Sequence, residues 1–185
     1  MYLIVGLGNP EEEYAKTRHN MGFDTINKIA ENNNIKENKN KFNSLYGIGE
    51  IEGEKVILLK PQTYMNLSGN AVRDFMKFYK LTPSNLIVIF DDLDIEPGII
   101  KIRKKGGPGT HNGMKSVVSE INSQDFCRIR VGIGEPKFKN DLLNYILTKI
   151  PDDEYEILKK SISNAETAVN EIVKSGIDSA MNKYN

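Results

Sequence analysis

The spacing of apolar and polar positions changes several times along the chain, and each change marks an element. Tyr2-Leu3-Ile4-Val5 is a continuous apolar run rich in β-branched residues, which predicts a buried strand. Gly6-Leu7-Gly8-Asn9-Pro10 ends it in turn residues. Phe23, Ile26, Ile29 and Ala30 then recur at helical spacing, with Asn20 as cap and Asp24 in the first turn. Residues 31–43, rich in Asn and Lys, read as a surface loop. Leu45 to Glu50 and Lys55 to Leu59 read as a hairpin about Glu52-Gly53-Glu54, closed by Pro61, which has no N–H to give a ladder. Val72, Phe75, Met76 and Tyr79 mark a second helix. Leu86 to Phe90 is too short for a helix and too continuous for an edge strand, so it is expected to be central and parallel.

Ile99 to Arg103 reads as a short strand with outward basic residues, Met114 to Ile121 as a helix and Phe126 to Ile133 as another strand. After Pro151, the residues Leu158, Ile162, Ala165, Val169 and Ile172 fall in steps of four and three, which makes one core-facing stripe on a long helix. Asp152, Asp153 and Glu154 suit its start; Lys174 and Gly176 suit its end. Residues 136–150, polar with apolar interruptions, read as a lid. Strands alternate with helices and no repeat or linker divides the 185 residues, so the pattern predicts one α/β domain, 1–185.

Chemistry concentrates where predicted strands end, and in open α/β sheets that edge is where ligands bind. The first strand delivers Asn9, Tyr14, Arg18, His19 and Asn20; residues 61–69 follow the hairpin; Asp91-Asp92-Leu93-Asp94 follows the central strand; Gly106 to Gly113 adds a glycine-rich loop. A dinucleotide reading of Gly6-Leu7-Gly8 fails because the third glycine position holds Glu11, and Glu11 to Glu13 would repel a pyrophosphate. Asp91, Asp92 and Asp94 supply few oxygen ligands for a hard cation, and two histidines with one cysteine give no zinc-type cluster. Neither a metal nor an organic cofactor is expected. Ser68 lies in NLSG and lacks the G-x-S-x-G elbow of a serine nucleophile.

Net charge is zero, which does not by itself forecast a nucleic-acid partner, although Lys101-Ile102-Arg103-Lys104-Lys105 is a local excess in which Lys101, Arg103 and Lys105 alternate along a strand and are expected to share a face. Cys127, the single cysteine, reads as a reduced thiol in a strand. No apolar run approaches a bilayer span, and no basic segment followed by an apolar stretch opens the chain. These features give a cytoplasmic reading with no membrane partner.

Five ordered blocks now carry a resemblance: VGLGNP at 5–10, YAKTRHNMGF at 14–23, KPQTYMNLSG at 60–69, DDLDIEPG at 91–98 and GGPGTHNGMKS at 106–116. Over essentially its whole length the chain resembles the bacterial peptidyl-tRNA hydrolases. Phe90 stands where members often carry histidine, and Thr110 where several carry glycine. The resemblance implies a single domain with a mixed, mostly parallel twisted sheet flanked by helices on both faces. It also implies a monomer that hydrolyses the ester joining a peptidyl or N-blocked aminoacyl group to the 3′-terminal ribose of tRNA. His19 is then the expected general base for water, since imidazole titrates near working pH. Asp91 is expected to fix its tautomer, as the acid does in a Ser-His-Asp triad. Asn9, Tyr14, Tyr64, Asn66 and Asn112 are implied to contact the 3′ CCA end or the blocked aminoacyl group, the tyrosines by stacking and the asparagines as neutral donors and acceptors. Met65 is expected either as an apolar wall or as part of the core. Lys101, Arg103 and Arg130 are implied phosphate contacts near the acceptor stem. Two other readings stay open on the residues alone: a module that binds RNA ends without chemistry, and a nucleotide-cofactor enzyme.

Overall fold

The first apolar run is strand β1, Tyr2–Gly6, in the computed structural model, which describes residues 1–185 except for the side chain of Lys139. Helix α1 (Met21–Asn32) follows two short turns of 3-10 helix, Glu12–Tyr14 and Arg18–Asn20. Strands β2 (Lys39–Lys41), β3 (Ser44–Ile51) and β4 (Glu54–Pro61) lead to helix α2 (Ser68–Phe78). Strands β5 (Leu86–Asp92) and β6 (Ile100–Arg103), helix α3 (Asn112–Ile121) and strand β7 (Cys127–Gly132) complete the sheet. Helices α4 (Leu142–Leu147), α5 (Asp152–Ser175) and α6 (Ile177–Tyr184) end the chain.

The seven strands lie in the order β2-β3-β4-β1-β5-β7-β6. β4, β1, β5 and β7 run parallel to their neighbours in that block, and antiparallel strands flank it at both ends. The continuous apolar runs therefore mark strands buried on both faces. Ile4, Val56, Leu58, Ile87 and Ile89 pack beneath α1, α5 and α6. Leu3, Val5, Ile57, Leu59, Leu86, Val88 and Phe90 pack beneath α2 and α3. This is the period of two expected along a strand, read out on two cores. The α/β class and the mixed, mostly parallel sheet expected above are what the chain forms.

Three segments depart from the sequence reading. Residues 31–43 are not all loop: α1 runs to Asn32, and Lys39–Lys41 pairs antiparallel with β3, Lys39 opposite Tyr46. β2 has no apolar residue because it is an edge strand held by backbone pairing and by the Lys41 ammonium 3.6 Å over the Phe78 ring. Residues 177–184, unassigned from the pattern, form α6 against α5 and β6. Just beyond it, the Asn185 side chain pairs with the outer edge of β6, accepting from Ile102 N–H at 2.7 Å and donating to Ile102 C=O at 3.0 Å. Thirdly, β6 ends at Arg103, so Lys105 lies past the strand and not on its face.

Close backbone approach fixes the site. Gly22, in the first turn of α1, sits where a Cβ would meet the Leu7 N and the carbonyl oxygens of Leu7 and Ile89 at 2.4–2.5 Å. No larger residue passes that crossing, and it brings the turn before α1 against the end of β5. Gly113 of α3 meets side chains instead: a Cβ there would fall 2.6 Å from Met65 Sδ and 3.0 Å from Leu7 Cδ1, and both ends would have to move.

Candidate active site

β5 carries Asp91 to the carboxyl edge of the sheet, where it is 4% exposed. The 3-10 turn before α1 carries His19, 8% exposed, with Nδ1 3.0 and 3.1 Å from the two carboxylate oxygens of Asp91. From the far side His111 approaches, its Nε2 2.9 Å from Asp91 Oδ1. His111 is also the cap of α3, its Nδ1 accepting from Met114 N–H at 3.3 Å. A ring nitrogen that accepts carries no proton, so Nε2–H of His111 donates to Asp91. Asp91 thus receives two imidazole donors. The two rings stand 4.9 Å apart at 47°.

Charge follows from this geometry. Burial disfavours the Asp91 carboxylate, but the adjacent His19 and His111 outweigh it and hold its pKa well below the usual range. For His19, burial works against the imidazolium, yet the charge and hydrogen bond of Asp91 prevail and the pKa rises above its ordinary value. Phe90, the departure noted in the sequence, lies buried with its ring edge-on to His111 at 5.1 Å. It supplies an apolar side wall for that histidine.

These groups open on a cavity of about 430 Å³ lined by His19, Asp91, His111, Asn112, Arg103 and Arg130, together with the glycine loop and Leu142, Leu143 and Ile146 of α4. Tyr64, 71% exposed, lines a second, shallower depression with Glu11 and Leu67. Asn9, Tyr14, Asn66 and Lys101 line neither. Two hydrogen bonds from the side chain of Asn20 hold the backbone of Asn9, at 2.8 Å to its N–H and 2.9 Å from its C=O. Asn66 lies on the 3-10 turn Met65–Leu67, which packs against α3. Ser68 Oγ is buried and spends its proton on Met65 C=O at 2.8 Å. The Cys127 thiol is pushed up to about 12 by burial.

On the neighbouring hairpin, Lys101 stands opposite Arg130 and Arg103 opposite Arg128, so like charges face each other across two strands. Such pairs cost stability where no anion intervenes. Arg130 pairs with Asp92 Oδ2 at 2.7 Å, and Lys101 Nζ donates to the Asn185 carbonyl. Arg128 is 3% exposed and reaches Gly107 C=O at 2.9 Å and Gln124 C=O at 3.0 Å, which ties the glycine loop to β7.

Three of these residues carry no assignment in the sequence reading. His111 was visible there only as a second histidine. Arg128 is unmarked there and Arg18 stands only among the polar groups after the first strand, with no role; Arg18 proves to be a fastening: its guanidinium lies 4.0 Å over the Tyr145 ring, donates to Tyr145 C=O at 3.2 Å and pairs with Glu154.

A family model described as peptidyl-tRNA hydrolase matches residues 3–185. A peptidyl-tRNA hydrolase of Alkaliphilus metalliredigens is 52% identical over 185 residues, covering 100% of both chains. One from Clostridium botulinum (strain Eklund 17B / Type B) is 50% identical, over 100% of this chain and 96% of that one. Among solved structures, peptidyl-tRNA hydrolase from Acinetobacter baumannii is 41% identical and superposes with a TM-score of 0.94, over 100% of this chain and 94% of that one. With residues 3–185 matched by the family model, the whole chain by relatives of 50% identity or more, and the fold by a solved structure, the chain belongs to the peptidyl-tRNA hydrolase family.

Proposed function

We propose that the chain hydrolyses the ester between the peptidyl or N-blocked aminoacyl group and the 3′-terminal ribose of tRNA, by direct attack of water. The observation that carries the reading is the buried His19–Asp91 pair at the edge of the cavity. Asp91 holds the Nδ1–H of His19, which leaves Nε2 with no protein partner among the described residues and free to take a proton. Water oxygen bonds to the ester carbonyl carbon while His19 Nε2 takes its proton. The tetrahedral intermediate then expels the ribose 3′ oxygen, which takes that proton from the imidazolium. Asn112, on the same cavity, and Asn66, on the adjoining turn, are suited to donate to the developing oxyanion without adding charge.

Ser68 and Cys127 offer no rival nucleophile, the first because its hydroxyl is buried and spent, the second because its thiol stays protonated. Tyr64, exposed, and Tyr14 serve to stack on the unpaired terminal bases, and Lys101, Arg103 and Arg130 to hold phosphate near the acceptor stem. Residues 136–150, with three α4 side chains on the cavity, act as its cover.

The test is incubation with N-acetyl-aminoacyl-tRNA, without nucleotide or added metal. Release of the N-acetyl amino acid by the wild type, abolished in His19→Ala while tRNA binding stays within about tenfold, is the expected result. Turnover of His19→Ala near the wild-type rate removes His19 from the mechanism.

A further inference from the structure

His19, Asp91 and His111 come from three separate segments, yet their ligand-type atoms all lie within 4.8 Å of one another. Both histidines of the chain are in this cluster, and the single cysteine lies elsewhere, in β7. His19 Nδ1 is 3.0 Å from one Asp91 oxygen and His111 Nε2 is 2.9 Å from the other. Ligands 2.0–2.1 Å from a tetrahedral zinc ion are separated by about 3.3 Å, so both nitrogen–oxygen spacings are already close to those of a coordination shell. Two imidazoles and a carboxylate suit borderline cations such as zinc, and three protein ligands beside a cavity leave a fourth position open.

We propose that this cluster is an inhibitory binding site for zinc(II) and cations of the same class. The inhibition follows from which nitrogen holds the proton. His19 now carries it on Nδ1, facing Asp91, with Nε2 bare. To ligate a metal, Nδ1 must present its lone pair, so the proton of the neutral ring moves through solvent to Nε2. A His19 protonated at Nε2 has no site left to accept a proton from water. His111 undergoes the same exchange: Nε2 takes the metal, Nδ1 takes the proton, and Met114 N–H loses its acceptor. No proton is released in net from two neutral rings, and the ion replaces two N–H donors on Asp91 with one cation. The binding half of the proposal stands on the cluster alone. The inhibitory half rests on His19 as general base.

The experiment titrates the folded protein with zinc chloride in metal-free buffer by calorimetry, and with cobalt(II) by visible absorption, where four-coordinate cobalt gives an intense band. One ion per chain is expected, with His19→Ala and His111→Ala each weakening binding at least about tenfold. Because the chain holds no other imidazole, binding unaltered in both variants, or no saturable binding, overturns the site and leaves the hydrolase reading untouched. Circular dichroism on both variants verifies the fold. Hydrolysis of N-acetyl-aminoacyl-tRNA is then followed at buffered free zinc, and it should fall along the binding curve and return with chelator. Binding through both histidines with undiminished hydrolysis overturns the inhibition and, with it, the role of His19 as base.

Discussion

The side-chain amide of Asn20 brackets Asn9, accepting from its N–H and donating to its C=O. Asn20 is 4% exposed, so the bracket is rigid, and the amide of Asn9 itself is not needed to build the turn. That suits Asn9 to a discriminating role close to His19. A free aminoacyl-tRNA presents an ammonium, a blocked one a neutral amide, and a neutral group that pairs with the amide leaves the cation poorly solvated. Asn9→Ala should lower the ratio of kcat/KM for N-acetyl-aminoacyl-tRNA over free aminoacyl-tRNA, and Asn9→Asp should lower it further by attracting the ammonium. An identical ratio in all three proteins would assign Asn9 to the turn alone.

Asp91→Asn should slow turnover about a hundredfold or more. It should also move the acid limb of the pH–rate profile. The carboxylate raises the pKa of His19, and the base works only when deprotonated, so removing the charge shifts the limb to lower pH. A profile with its limb unmoved speaks against the pairing.

Arg18→Ala removes a stacked cation and a hydrogen bond between the turn bearing His19 and α4, and an ion pair from that turn to Glu154 at the start of α5, and should cost about 1–3 kcal/mol of local stability. Hydrogen exchange should speed up in peptides spanning 142–150, with kcat reduced and the position of the acid limb unchanged. Arg18→Lys should rescue little, because an ammonium cannot stack and fork at once. Unaltered exchange in that segment would show that Arg18 does not fasten it.

Arg103→Glu combined with Arg130→Glu should raise KM and flatten the dependence of log Kd for tRNA on log salt by about 1–2. Both cations stand in like-charge cross-strand pairs, an arrangement that phosphate relieves. A slope equal to the wild type's would make them a solvated face.

Asp24 gives a stability prediction away from the site. Burial raises its pKa to about 6, against the opposing hydrogen bond from Tyr155 and the charges of Lys60 and Lys16. A raised carboxyl binds more protons folded than unfolded, so stability falls as pH rises from the ordinary carboxyl value through about 6. Asp24→Asn keeps an acceptor for Tyr155 and should stabilise the protein at neutral pH by on the order of 1–2 kcal/mol. Denaturant melts of both proteins at pH 4 and pH 7 measure it; a difference between wild type and Asp24→Asn that is the same at the two values would contradict the shift.

Much of this was legible in the residues, and the part that was not has physical reasons. Continuous apolar runs disclosed the parallel strands because both faces are buried there. β2 was hidden because its edge pairing needs no apolar side chain. The five blocks brought His19, Asp91 and Asn112 to notice, and they line one cavity. His111 went unassigned because its tie to Asp91 joins residues 20 apart through a turn that no periodicity encodes. Nothing in the spacing of the sequence shows that Arg18 and Arg128 are received by the carbonyls of Tyr145, Gly107 and Gln124.

The amide of Asn185 lies along β6 as a strand of one residue. It occupies the N–H and C=O that Ile102 turns away from β7. At the opposite edge the sheet ends in three residues, two of them lysines. An incoming chain thus meets one carboxamide at the β6 edge and a pair of ammonium groups at β2, and both work against sheet-to-sheet fusion.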